Sequence, residues 1–131
     1  MKIAANIAAF ILCAVFQFAA WNFFLKFMDT PAPPEGTPPA AFMGALYMSG
    51  YLSFIKVLEI LGGLLVLASA TRSIGLLILG PIVVNILCFH GFLLGGAGLF
   101  PLPFIVAVCS AFLLWTERYK FRHLLPLGPL S

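Results

Sequence analysis

The sequence predicts an all-α fold, a transmembrane four-helix bundle with a proline-rich outer loop. Three observations carry that prediction. Of the 131 residues, 63% are hydrophobic and 8% charged, whereas a soluble domain carries about 25% charged residues. Mean hydropathy is +1.12. The apolar residues fall into four runs, and a helix that crosses the hydrocarbon needs about 20 of them in succession. Strand-like alternation is absent, which argues against a β-barrel. Because backbone groups in lipid must be satisfied internally, each run is expected to be helical.

The first run spans about Ile3–Phe24 and is followed by Lys26 and Asp29. Residues 29–40, DTPAPPEGTPPA, hold five prolines between Pro31 and Pro39. With fixed φ angles and few donors, this segment reads as an extended, solvated loop. Residues 41–50 are rich in Met, Gly and Tyr and read as an interfacial segment leading into the second span, Tyr51–Ser69. Ala70-Thr71-Arg72 makes a tight turn into the third span, Ser73–Leu94, which contains Pro81. A proline there either kinks the helix or is accommodated by packing, and accommodation is the expectation. GGAG (Gly95–Gly98) and PLP (Pro101–Pro103) form a second outer turn before the fourth span, Phe100–Trp115. A basic tail fills 117–131, and the whole chain reads as a single integral membrane domain.

Several classes drop out. The formal net charge of +3 comes from basic residues near the ends of spans, so nucleic acid is not an expected partner. Cys13, Cys88 and Cys109 stand singly in apolar runs, with no CxxC pair and no metal-ligand spacing, and are expected to be small packing residues. Leu12 before Cys13 argues against a lipobox, and the first run lacks a small-residue cleavage site. The glycine turn has no following Lys or Thr and is not a phosphate loop.

Orientation follows from the basic residues. With a cytoplasmic N-terminus, Lys2, Arg72, Arg118, Lys120 and Arg122 all lie inside and Lys26 outside, so both termini are expected in the cytoplasm. Trp21, Tyr47 and Tyr51 then mark the outer interface, and Trp115 and Tyr119 the inner one.

An ionisable residue inside a span costs roughly 2.5–3.5 kcal/mol on insertion scales and needs a partner or a reason. Lys56 and Glu59, three apart in the second span, share a helical face and can pair. Ser49, Ser53, Lys56, Glu59 and Gly63 form a stripe expected to face the bundle, where Gly62 and Gly63 admit a neighbouring helix. Asn85 and His90 come from the third span, and Asn6, Gln17 and Asn22 from the first. Counted at ~1.5 Å per residue, Gln17, Lys56, Glu59, Asn85 and His90 occupy one slab in the outer half, with Glu59 opposite Asn85 and Lys56 opposite His90. Asn85 and His90 are about 140° apart around a helix of ~3.6 residues per turn, so they do not both face one seam.

This cluster has three readings: a polar lock for helix packing, a headgroup or small-molecule site, or a path for protons or ions. Haem ligation by His90 is disfavoured, because no second histidine lies at a matching depth. His123 belongs to the solvated or headgroup-contacting tail, and Glu117 with Arg118 reads as an interface pair.

The segment Val57–Leu87, VLEILGGLLVLASATRSIGLLILGPIVVNIL, resembles the DoxX family of small four-span membrane proteins. Glu59 before Gly62-Gly63, the leucine-rich run, the Thr71-Arg72 turn and the Phe89-His90 pair carry the resemblance. Members of that family include small subunits of a thiosulfate:quinone oxidoreductase and proteins linked to membrane complexes that handle oxidative or thiol stress. On the quinone link, the resemblance implies Lys56 and Glu59 as the matching positions, with Asn85 and His90 near them. The chain has no flavin or nucleotide fingerprint, so a redox cofactor is expected to come from a partner or to be a bound quinone or lipid.

The expectations are therefore an integral protein of the bacterial inner membrane, in contact with membrane lipids and not an enzyme on its own. An accessory subunit of a larger redox or energy-converting membrane complex comes first. A quinone-linked oxidoreductase subunit comes second, and a small transporter or lipid-handling protein third, since alternating access usually uses repeats.

Overall fold

In the computed structural model, residues 2–29 and 32–123 are described. Thr30 and Pro31 of the proline-rich loop, and Leu124–Ser131 of the basic tail, lie outside them. The described chain is all-helical, with no strand among those residues.

Helix α1, Lys2–Leu25, contains neither glycine nor proline and runs unbroken. It ends at Lys26, whose φ of 53° is left-handed. That strained position is held on both sides: the Lys26 N–H donates to Asn22 O at 2.7 Å, and the Met28 N–H donates to Asn22 Oδ1 at 2.8 Å. Helix α2, Pro38–Met48, starts before the expected end of the loop at Ala40. Pro38 and Pro39 sit in its first turn, where the N–H groups lack intrahelical partners and a fixed φ suits the helix.

Between α2 and α3, Tyr51–Leu67, the chain bends by 81°. Gly50, at φ 81°, makes that bend without a Cβ clash. Helix α4, Arg72–Cys88, continues into a π-helical turn, Phe89–Leu93. Pro81 lies inside α4 on its exposed side and the helix runs through it, so packing accommodates it. Helix α5 is Leu102–Thr116, and the short α6 is Arg118–Arg122.

The four main helices close into a ring: α1 packs on α3 and α5, and α4 packs on the same two. Leu12, Val66, Leu79 and Leu113 fill the centre, each fully buried. The close α3–α4 crossing depends on missing side chains. A Cβ on Gly62 would lie 2.8 Å from Leu79, and one on Gly75 would lie 2.7 Å from the Gly62 carbonyl oxygen. The sequence marks Gly62 and Gly63 together as such a point. The structure divides them, Gly62 facing α4 and Gly63 facing Gln17 and Cys13 of α1.

Outward surfaces are apolar: Phe10, Leu77, Val84 and Phe104 are each more than half exposed. Such faces suit hydrocarbon rather than water. Two helices, Lys2–Leu25 and Arg72–Leu93, are long and apolar enough to cross a membrane, and a third crossing results if the bent α2–α3 pair counts as one.

The expected tight turn between α3 and α4 is also a cap. The last carbonyls of any helix lack intrahelical donors. Here Thr71 Oγ1 donates to Leu65 O at 2.7 Å. Arg72 Nε donates to Val66 O at 2.8 Å, and Nη2 donates to Leu67 O at 3.1 Å. The same Nη2 donates to Asn6 Oδ1 at 3.0 Å, tying the start of α1 to this end. The guanidinium also sits at the negative end of the α3 dipole, where a cation is favoured.

Candidate functional site

A cavity of about 1260 Å³ opens at the end of the molecule opposite the Arg72 cap. It lies among the C-terminal part of α1, α2, the start of α3 and the π-helical turn. Phe18, Phe23, Met43, Leu52, Phe89 and Leu94 give it an apolar wall, while Asn22, Lys26, Asp29, Tyr47, Lys56 and His90 add polar groups. A large apolar cleft with a few convergent polar groups is the usual form of a small-molecule site.

Each polar group has a structural reason for its position. Lys56 and Glu59 lie one turn apart on α3, with Nζ 3.4 Å from Glu59 Oε1. The Glu59 side chain is 4% exposed and that of Lys56 18%. The carboxylate is thus the inner member of the pair, and the ammonium is the member that reaches the cavity. An ammonium has three donors and Glu59 engages one, so Lys56 retains donors for a ligand.

His90 owes its place to the π-helical turn. The Leu94 N–H reaches back five residues to Phe89 O at 3.1 Å, and the Gly96 N–H donates to His90 O at 2.7 Å. Gly95, Gly96 and Gly98 all have positive φ, which lets the chain reverse directly over the histidine. A Cβ on Gly98 would come within 3.3 Å of His90 Cδ2. The ring nitrogen Nδ1 lies 2.8 Å from Ile86 O. A carbonyl only accepts, so Nδ1 carries the proton in that bond and Nε2 is the nitrogen left for a ligand. π-Helical turns recur at functional sites.

Asn22 is 8% exposed. Its Oδ1 holds the Met28 N–H, and its Nδ2 has no hydrogen-bond partner among the described residues. The amide lines the cavity, so a buried asparagine presents unused donors to it. In the sequence Asn22 is a polar residue in an apolar run that falls outside the expected cluster, and Tyr47 reads as an interface anchor only. Both enter the site because the α1 terminus and the 81° bend of α2 fold over the cavity, which helical depth counting cannot foresee.

The expected cluster separates into three parts. Lys56 and His90 line the same cavity, in keeping with their matched depth. Glu59 and Gln17 lie behind it. Gln17 Nε2 donates to Ile60 O at 2.9 Å, and Gln17 Oε1 accepts from Trp21 Nε1 at 3.0 Å. Gln17 therefore joins α1 to α3 and does not line the cavity.

Asn85 is the correction. It is exposed on the outer face of α4, and its Nδ2 donates to Pro81 O in its own helix at 2.9 Å. It does not oppose Glu59. Of the two residues that cannot share a seam, His90 is the inward one. Ser49 also leaves the stripe, because it caps α2 before the bend and is exposed.

Two smaller expectations change as well. Cys88 is exposed, while Cys13 and Cys109 are buried as packing residues. Glu117 pairs with Lys120 at 2.9 Å and not with Arg118. The Arg118 guanidinium instead lies 4.3 Å from the Trp115 ring centroid and 4.4 Å from that of Tyr119.

Comparison of the chain with family models, with curated proteins and with solved structures finds no match.

Proposed function

We propose that this chain is a membrane-embedded subunit that holds the polar head of an amphiphile in the cavity beside Lys56 and His90. One observation carries the reading. Two ionisable side chains from separate elements, α3 and the π-helical turn, line one cavity whose remaining wall is largely aromatic and aliphatic. An intramembrane ionisable residue is by default a candidate functional group.

The proposal includes four crossings. Helices α3 and α5, at ~1.5 Å per residue, reach about 26 and 23 Å, short of a hydrocarbon core of about 30 Å. Local thinning and flanking polar residues accommodate such a mismatch. Arg72 bonded to Asn6, and Lys120 Nζ 3.1 Å from Ser69 O, gather the start of α1, the α3–α4 turn and the end of α5 at one end. Lys2, Arg118, Lys120 and Arg122 belong to those same segments, which supports a cytoplasmic position for that end.

Within this reading the chain serves a larger membrane complex, in the manner of DoxX-like small subunits. A quinone is one amphiphile of fitting form, and the resemblance of Val57–Leu87 points the same way. The broad apolar faces of α1, α4 and α5 leave room for partner helices as well as lipid.

The test is purification of the tagged protein from its own membranes in mild detergent, followed by mass spectrometry of bound proteins and extracted small molecules. The proposal predicts an amphiphile near one per chain, depleted in Lys56→Ala. Recovery of only the lipids that a control membrane protein carries, at the same level in both variants, would overturn it.

A further inference from the structure

The polar lining of the cavity constrains its ligand more closely than amphiphilic character alone. Consider the charges first. Lys56 is matched by Glu59 at 3.4 Å, behind the wall. Lys26 and Asp29, at the rim, are both exposed and of opposite sign. The formal charges therefore balance before a ligand arrives. A charged head would give up hydration to an apolar wall with no uncompensated partner among the described residues, and burying an unpaired charge is costly.

Consider the hydrogen-bonding groups next. On one side, Asn22 Nδ2 has no partner among the described residues, although the residue is only 8% exposed. Lys56 has donors beyond the one facing Glu59. These two groups, on α1 and α3, call for oxygen acceptors. On the π-helical turn, Nδ1–H of His90 is committed to Ile86 O, and in that tautomer Nε2 is an acceptor. It calls for a donor such as a hydroxyl. Tyr47 OH serves either role.

Building on the amphiphile site proposed for this cavity, we infer that it takes a neutral head carrying both an acceptor oxygen and a hydroxyl that donates. The oxygen faces Asn22 and Lys56, the hydroxyl faces His90 Nε2, and an apolar chain lies along the aromatic wall. A monoacylglycerol and an alkyl hydroquinone-type molecule share this chemistry from different sources. Neither a carboxylate nor a quaternary ammonium does.

The experiment uses the full chain in nanodiscs of zwitterionic lipid and four probes with the same apolar chain: a monoacylglycerol, an alkyl hydroquinone, a fatty acid and an alkyl trimethylammonium. Binding is read by native mass spectrometry across a concentration series. The expected result is at least tenfold tighter binding of one or both neutral probes than of either charged one, and the tighter neutral probe names the source. His90→Phe, which keeps an aromatic ring, should weaken that neutral probe about three- to tenfold through the lost acceptor and leave the charged probes unchanged.

Equal binding of all four, or preference for a charged probe, overturns the assignment of the head while the amphiphile site stands. Failure of every probe to bind overturns the amphiphile site itself. Should His90→Phe fail to fold, the wild-type probe ranking still decides the point.

Discussion

Arg72 shows how one side chain can carry two roles that the sequence keeps apart. In the sequence its charge counts toward an expected orientation, yet the residue is 3% exposed and donates to Val66 O, Leu67 O and Asn6 Oδ1. Hydrogen bonds from a charged group contribute about 1.5–3 kcal/mol each, and a buried acceptor left unmet costs about 1–3 kcal/mol. Arg72→Leu is therefore expected to lower stability by about 3 kcal/mol or more, seen as a clearly reduced melting temperature in detergent. A melting temperature matching the wild type would show that water or lipid headgroups replace the cap. The site itself is partly legible at this scale. Lys56, Glu59 and His90 stand out because ionisable residues are rare in apolar runs, and their depth follows from counting. Asn85 stands out for the same reason and is misleading, because an asparagine can satisfy its amide on the carbonyl four residues back in its own helix. Composition does not distinguish the two cases; direction does.

Among the helices, α3 and α4 depend most on backbone proximity. A Cβ on Gly75 would meet Val66 Cγ2 at 2.6 Å and the backbone of Gly62 and Val66 at 2.7 Å, and backbone has no rotamer by which to retreat. Gly80, further along the same helix, has nothing within 4 Å. Gly75→Ala is expected to destabilise by about 1–3 kcal/mol as an overpacked contact, while Gly80→Ala should be neutral or slightly stabilising through helix propensity. Thermal unfolding of the two variants side by side checks both. Equal behaviour would mean that the helices slide apart freely. The helical runs are readable to within a few residues, because long apolar runs bounded by charge, glycine and proline define helices well. The start of α2 at Pro38 is not, since a proline-rich segment reads as extended until a chain position puts two prolines in a first turn. The π-helical turn is also hidden, because no side-chain pattern separates five π-helical residues from the α-helix before them.

At the scale of the whole molecule, the two ends of the ring differ in kind. One end is closed by Arg72, Asn6, Lys120 and Ser69. The other opens into the cavity, with its glycine-rich reversal and its bent α2–α3 corner. In the proposed function the basic end serves stability and the open one ligand contact, and the exposed apolar flanks between them suit hydrocarbon. Photo-crosslinking in native membranes separates one amphiphile held at the open end from the surrounding lipid. A photoactivatable residue is placed at Phe89, which lines the cavity, and separately at Val84, which is 59% exposed on the outer face of α4. The adducts are then identified by mass spectrometry. A single dominant amphiphile is expected at Phe89 and is rare at Val84, where the adducts follow bulk lipid composition. The same bulk-lipid mixture at both positions would contradict it.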